Sequence, residues 1–321
     1  MIVGVLRETA RRERRVALTP GDVRELDCAG IDVVVERDAG FWAGFQDADY
    51  RAAGADIAAG RREVFDRADL IVWVKKPAFE LFSMPLRPGM RLLGFQDPIA
   101  RQSEIAELRA RGIDSVAFEL VPREGEPAPF DALSAMSRFA GKIAYAEGRQ
   151  LLSEKVRSRP VRSLILGCGQ AGLAAIEAAA EFGDEKPAVM GNRLSQEAAA
   201  LRGGAEVFLP QADSAAVLDY IERETPELIV CAAVHRGDRA PLLLDNAALD
   251  ALGAGAVVVD LTAKAGGNCV ATRVDTTVTL ANGVVVTHNS NYPAAKPREA
   301  SVAYGSAVAA MVIGLSGRNS T

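Results

Sequence analysis

Gly167, Gly169 and Gly172 stand in GxGxxG spacing within S-L-I-L-G-C-G-Q-A-G-L-A-A-I, after an apolar strand pattern and at the start of an alanine-rich helical one. Glycine permits a tight turn there and brings backbone N–H groups, with Gln170 and Ala171 opening the helix, against a phosphate favoured by the helix's positive end. In that strand–turn–helix setting the spacing predicts a dinucleotide site; the plainer alternative is a glycine-rich turn closing an unrelated unit. At the end of the next strand, a pocket for an unphosphorylated ribose usually carries Asp or Glu. This chain reads P-A-V-M-G-N-R-L-S-Q-E, giving Gly191 and then Asn192 and Arg193. No carboxylate is present to accept from a 2′-hydroxyl or repel a 2′-phosphate, and a guanidinium suits phosphate. NADP(H) is therefore expected in preference to NAD(H), unless Arg193 is merely a solvated residue at a helix start.

Further candidates follow other strand patterns. Lys264 lies in V-V-D-L-T-A-K-A-G-G-N-C, in a glycine-rich turn after a strand, where α/β enzymes put working groups. A buried lysine readily shifts its proton affinity toward neutrality, so it is a candidate for the proton role. His235, in A-V-H-R-G-D-R-A-P, is a secondary candidate beside its reading as a solvated loop residue, and His288 reads as a strand-end cap.

Parallel α/β architecture must position these groups, because short apolar runs alternate with helical patterns along the whole chain. Expected strands in the first half are Ile2–Leu6, Asp32–Glu36, Leu70–Val74, Arg91–Phe95 and Ser115–Glu119. Helices are expected at Gly21–Ala29 and at Ser103–Arg111, with Ser103 as N-cap. A Pro/Glu/Gly-rich loop, Pro122–Pro129, precedes a long helical pattern from Asp131 to Lys155 that links two domains. Second-half strands are expected at Ser163–Leu166, Ala188–Met190, Glu206–Leu209, Leu228–Ala233, Val257–Leu261 and Val284–Thr287, followed by an apolar helix from Arg298 to Leu315 that packs back on the first domain. The fold class is thus α/β, with two Rossmann-like domains: residues 1–130 plus 298–321 as substrate domain, and 131–297 as linker helix and dinucleotide domain.

Composition sets the limits. The 321 residues are 49% hydrophobic and 25% charged, an ordinary globular mixture long enough for two domains. A formal charge of -5 argues against nucleic acid or anionic lipid as a general partner. The scattered cysteines, Cys28, Cys168, Cys231 and Cys269, read as free buried thiols, and with two histidines no metal site is expected. The start lacks the apolar core of a signal peptide, and the longest apolar run, Ala303 to Leu315, is judged too short to span a membrane, so a cytoplasmic protein is expected.

Several stretches together resemble a known family. R-R-V-A-L-T-P (Arg14–Pro20), V-K-K-P (Val74–Pro77), F-D-A-L-S-A-M-S-R-F-A-G (Phe130–Gly141), the glycine motif and V-V-D-L-T-A-K-A-G-G-N-C (Val258–Cys269) occur in order. This is similar to alanine dehydrogenase and the nucleotide-binding alpha subunit (domain I) of proton-translocating transhydrogenase, over nearly the whole chain. The resemblance implies two domains facing a cleft and a homodimer or higher homo-oligomer. It implies that Arg15 and Lys75 bind the carboxylate and carbonyl of a small acid, with Lys75 a second candidate for the proton role. The catalytic His of alanine dehydrogenases falls at Gln96, within F-Q-D-P, and their catalytic Asp at Lys264. The transhydrogenase nicotinamide loop is matched by Arg123, Asp131 and Ser134, with Ala128 at its Gln position. Asp131 reads equally as N-cap of the linker helix. N-Y-P (Asn291–Pro293) resembles a loop beside the nicotinamide in alanine dehydrogenases, and the family's nucleotide-contacting loop falls at Ala233 and His235. N-R-L-S-Q-E-A-A-A-L also resembles the segment by which shikimate dehydrogenases hold NADP.

Three functions remain open on these residues. One is an NADP(H)-preferring dehydrogenase or imine reductase for a small amino or 2-oxo acid. The second is an NAD(H)-binding transhydrogenase alpha-type subunit that passes hydride to a partner protein. The third is a non-catalytic nucleotide binder.

Overall fold

The computed structural model describes residues 1–122, 128–235 and 238–317. They form two compact units, one comprising Met1–Met136 with the chain from Pro293 onward, the other Ser137–Tyr292.

In the first unit, β1 (Ile2–Val5), β2 (Asp32–Glu36), β3 (Asp56–Ala58), β4 (Leu70–Lys75), β5 (Arg91–Phe95) and β6 (Asp114–Ala117) make a sheet in the order β3-β2-β1-β4-β5-β6. Every pairing is parallel. Helices α1 (Pro20–Cys28), α2 (Asp47–Ala52), α3 (Arg61–Arg67) and α4 (Gln102–Ala110) connect the strands. The expected strands appear, although the last ends at Ala117, where the chain turns into a 3-10 segment at Phe118–Leu120. Strand β3 was not expected; Asp-Ile-Ala is neither an apolar run nor long enough to alternate. Ser103 is not an N-cap: α4 starts one residue earlier, and Arg101 at the cap forks onto Glu104 instead.

The second unit begins within α5 (Ala132–Leu151), which ends sooner than its sequence pattern suggests. Ser153 accepts from Val156 N and starts a separate turn, α6 (Glu154–Arg157). Then follow β7 (Ser163–Leu166), α7 (Gln170–Phe182), β8 (Ala188–Met190), α8 (Glu197–Arg202), β9 (Val207–Leu209), α9 (Ser214–Glu224), β10 (Leu228–Cys231), α10 (Asn246–Ala251), β11 (Val257–Asp260), β12 (Thr277–Thr279) and β13 (Val285–Thr287). Their order, β12-β13-β11-β10-β7-β8-β9, repeats the doubly wound plan of the first unit, with β12 added as an antiparallel edge that the sequence did not announce. Residues alternate across the sheet as a strand's period of two requires. Leu164 and Leu166 face one core with Ile229, Val217 and Leu249, while Ile165 faces another with Val230, Tyr145 and Ile176. Helix α5 comes close enough that a Cβ on Gly141 would stand 2.0 Å from Ala171 O, and one on Gly148 2.5 Å from Leu228 Cδ1.

The last helix, α11 (Pro297–Gly317), belongs to the first unit. Ser301 Oγ accepts from Val16 N at 3.0 Å, and Tyr304 OH donates to Trp73 O at 2.8 Å. Contrary to the expectation, this helix is long and apolar enough to cross a membrane, with mean hydropathy 1.5 over its best window. The expected start at Arg298 and end at Leu315 understated it. Its buried residues, which include Ala300, Ser301, Tyr304, Gly305, Val308 and Val312, pack it into the first unit rather than leaving it apolar all round. Cys28 is exposed, which corrects the reading of all four thiols as buried.

A Cβ on Gly305 would lie 2.1 Å from Asp22 Oδ2, and Asp22 is fixed by the capping box it forms with Thr19. Gly305→Ala is therefore expected to cost about 1–3 kcal/mol in urea unfolding. Gly314→Ala, in open space on the same helix, is expected to add about 0.5–1 kcal/mol. Equal effects would show that α11 does not pack as described.

Candidate functional site

In a doubly wound sheet, ligands bind beyond the strand C-termini where the strand order reverses. In the second unit that place lies between β7 and β10, and a cavity of about 390 Å³ opens there. Its lining includes Gly167, Gly169, Gly191, Asn192, Arg193, Gln196, Ala233 and His235.

The three motif glycines do different work. Gly167 has φ +101°, and a Cβ on it would stand 2.6 Å from the Ala232 carbonyl. A Cβ on Gly172 would stand 1.9 Å from Gly167 O, so this glycine lets α7 close on the turn. Around Gly169 nothing lies within 4 Å of an ideal Cβ. The protein needs no glycine there for its own packing, and the face beside the α7 N-terminus is open. Gln170 and Ala171 are the first residues of α7, half-buried, and neither side chain lines the cavity. Gln170 instead accepts from Arg138 at 3.5 Å.

Across the cavity, Asn192 Nδ2 and His235 Nε2 lie 2.9 Å apart, joining the turn after β8 to the loop after β10. Arg193 is exposed on the rim, with Asp238 and Arg239 also in the lining. Burial pushes the Cys168 thiol up to about 11 although Arg193's charge opposes it, so this thiol is not a thiolate near neutral pH.

Sequence reasoning missed the support beneath this rim. Asn268, fully buried, accepts from Ala233 N at 3.0 Å and donates to Ala233 O and Pro241 O at 2.8 and 2.7 Å. Asp260, at the end of β11 and also fully buried, accepts from Thr262 N, Asn268 N, Cys269 N and the Thr262 and Thr272 hydroxyls. Both residues lie in the quoted D-L-T-A-K-A-G-G-N-C stretch, which was their only signal. Lys264, from the same stretch, is exposed in a 3-10 turn rather than buried as expected. His288 accepts from Asp275 N at 3.0 Å, and burial holds its pKa down. Asn291 is buried and is absent from the cavity lining. Arg123 lies outside the described residues.

In the first unit the order reverses between β1 and β4, and a charged cluster sits there. Arg15, only 3% exposed, forks onto Glu13 through Nε at 2.7 Å and Nη2 at 2.6 Å, and its Nη1 lies 3.0 Å from Met136 Sδ. Lys75, half-buried at the end of β4, has Nζ 3.8 Å from Glu13 Oε2. Burial pushes the Glu13 carboxyl up, but its hydrogen bonds and attraction to Arg15, with Lys75 behind, outweigh that and hold it at about 2. Glu8, which drew no attention in the sequence, accepts from Val74 N at 2.6 Å and Lys75 N at 3.2 Å. These two N–H groups lie where the β4–β5 register shifts. Desolvation, then the charge of Glu13, pushes the Glu8 carboxyl up to about 8 against the pull of those N–H groups and Arg15.

Two expected site residues are otherwise engaged. Gln96 is fully buried, donates to Leu92 O and accepts from Arg101, so it is not placed to touch a substrate. Asp131 accepts from Ser134 N at 2.9 Å and Ser134 Oγ at 2.6 Å, which is the capping role for α5.

Because the folded-state pKa of Glu8 lies above the ordinary carboxylate value, its contribution to stability is complete at low pH and is lost between about 4.5 and 8. Glu8→Gln removes the charge and keeps one of the two acceptor oxygens that Val74 N and Lys75 N use. The lost acceptor costs the same at every pH, so the melting temperature of the variant relative to wild type is expected to be higher at pH 9 than at pH 5; the same offset at both pH values would contradict this.

Comparison with known proteins agrees with this layout. Residues 4–140 match the family model for the N-terminal domain of alanine dehydrogenase/PNT, and residues 139–320 the model for its C-terminal domain. The chain is 32% identical to NAD(P) transhydrogenase subunit alpha of Haemophilus influenzae over 95% of its own length, and spans 64% of that protein's. It is 30% identical to alanine dehydrogenase of Bacillus subtilis, covering 94% of this chain and 82% of that one. Among solved structures, the transhydrogenase of Sinorhizobium meliloti superposes with a TM-score of 0.88 at 26% identity, over 98% of this chain and 94% of that one. An L-alanine dehydrogenase superposes with 0.85 at 25%, over 99% and 90%. With both domain models matched in order along nearly its full length, this chain belongs to the alanine dehydrogenase/pyridine nucleotide transhydrogenase family.

Proposed function

We propose that the chain is an NADP(H)-preferring oxidoreductase moving hydride between the nicotinamide and a small amino, imino or 2-oxo acid. The observation that carries this is the cavity at the β7/β10 reversal. It combines an open glycine at the phosphate turn, no acidic side chain at the end of β8, and the Arg193 guanidinium on the rim. The α7 N-terminus and the Gly169 cradle suit a pyrophosphate, and a guanidinium suits a further phosphate.

When bound, the nicotinamide supplies or accepts the hydride. Lys75 then offers a small carboxylate a point charge, and the enclosed Arg15, held on Glu13, adds positive charge beside it. Reducing a 2-oxo acid or imine also requires one proton on the heteroatom. We assign its donor to Lys75, which is half-buried, whereas Arg15 is pinned by Glu13. Glu13 fixes the Arg15 fork, and Glu8 fixes the backbone from which Lys75 projects.

A second reading, hydride passed to a partner protein, draws on the identity to transhydrogenase alpha subunits and on Gln96, whose buried amide is no proton donor for a substrate. The two readings separate on whether the chain turns over alone with NADPH, ammonia and 2-oxo acids.

Equilibrium titration is expected to show tighter binding of NADPH than of NADH. Arg193→Ala should weaken NADPH by roughly 10–100-fold, the worth of charge-assisted hydrogen bonds, and leave NADH unchanged. Equal affinities that the substitution leaves untouched would defeat the cofactor assignment. Lys75→Ala should lower kcat by about 10²–10⁴-fold while the melting temperature holds; a variant with wild-type kcat would remove Lys75 from the proton role.

A further inference from the structure

The end of β8 has no room for a side chain at position 191. An ideal Cβ on Gly191 would stand 2.6 Å from Phe208 Cζ and 2.8 Å from Gln196 Oε1. Phe208 is in the middle of β9, 5% exposed, in one core with Ile176, Ala200 and Ala205, so moving its ring opens that core. Gln196 holds the remaining space from its 3-10 turn. Its Nε2 donates to Cys168 O at 3.1 Å, its Oε1 accepts from Arg193 N at 3.3 Å, and its own carbonyl accepts from Cys168 Sγ at 3.7 Å. One side chain thus ties the phosphate turn to the turn that carries Arg193, and it sets a neutral amide where an acidic side chain at 191 would begin.

We propose that Gln196 is the specificity-determining residue of this cavity, occupying by its amide the place from which a carboxylate would select an unphosphorylated ribose, with Phe208 as the stop that keeps residue 191 a glycine. This rests on the cavity being the dinucleotide site. An amide accepts and donates without charge, so it orders the Arg193 backbone and leaves a nearby 2′-phosphate unopposed. A carboxylate of the same shape would repel that phosphate and accept from a ribose hydroxyl instead.

The test uses the full chain and measures equilibrium binding of NADPH and NADH by nucleotide fluorescence, with the melting temperature beside each titration. Gln196→Glu, which changes the charge and almost nothing of the shape, is expected to move the NADPH/NADH affinity ratio by roughly tenfold or more toward NADH. Gly191→Asp is expected to lower the melting temperature or fail to fold and to gain no NADH affinity, while Gly191→Asp with Phe208→Ala recovers NADH binding relative to the single variant. A Gln196→Glu ratio within about twofold of wild type, a loss without selectivity, overturns the proposal. So does a Gly191→Asp variant that melts like wild type and prefers NADH. Wild type that binds neither nucleotide defeats the dinucleotide reading itself and this inference with it, a result distinct from binding that Gln196→Glu leaves unmoved.

Discussion

At the C-terminal edges of both sheets, buried or half-buried carboxylates accept from main-chain N–H groups, and the working loops depend on this. Glu8 takes Val74 N and Lys75 N; Glu119 takes Gln96 N and Asp97 N; Asp260 takes Thr262 N, Asn268 N and Cys269 N. Where a strand stops, the ladder stops, and the next N–H groups must find acceptors or carry the full cost of desolvation. A carboxylate meets that need and also fixes where the following side chain emerges. In the first unit that side chain is Lys75. In the second, Asp260 holds Asn268, which in turn holds Ala233 at the cavity wall.

The same carboxylates set the electrostatics. Glu13 and Glu8 share one corner with Arg15 and Lys75, yet they are driven in opposite directions, Glu13 down by its guanidinium fork and Glu8 up by burial and by Glu13. Pairs of titratable groups pushed apart in this way are a mark of functional corners, although structural networks produce them as well. Here Glu13 meets the Arg15 and Lys75 side chains, while Glu8 holds the main chain at Val74 and Lys75. The second unit follows the opposite policy on its rim, where Arg193 and Arg239 stand exposed beside an open glycine turn.

Much of the fold was readable because its signals are local. Strands β7, β8, β11 and β2 follow from short apolar runs, and the turn at Gly167 follows from glycine spacing set between a strand pattern and a helical one. Strands β3 and β12 escaped because Asp-Ile-Ala and Thr-Val-Thr are not apolar runs and owe their existence to a neighbour. Ser103 failed as a cap since the helix begins one residue before it, with Arg101 at the cap position. Gln96 and Lys264 drew attention by their positions in family stretches, and position carries no information on burial: one proved fully enclosed and the other exposed.

By itself the sequence determined the α/β class, the glycine turn between β7 and α7 and the absence of a carboxylate directly after β8, all of which depend on residue type and short spacing. Only the tertiary structure decided what each glycine is for, since Gly167 and Gly172 are held by backbone contacts while Gly169 faces open space. It alone revealed that Phe208 and Gln196 fill the volume at Gly191, that Glu8 supports Lys75, and that Asn268 supports Ala233. Those facts are distances between residues remote in the chain, and a distance through space is fixed by packing rather than by any pattern along the sequence.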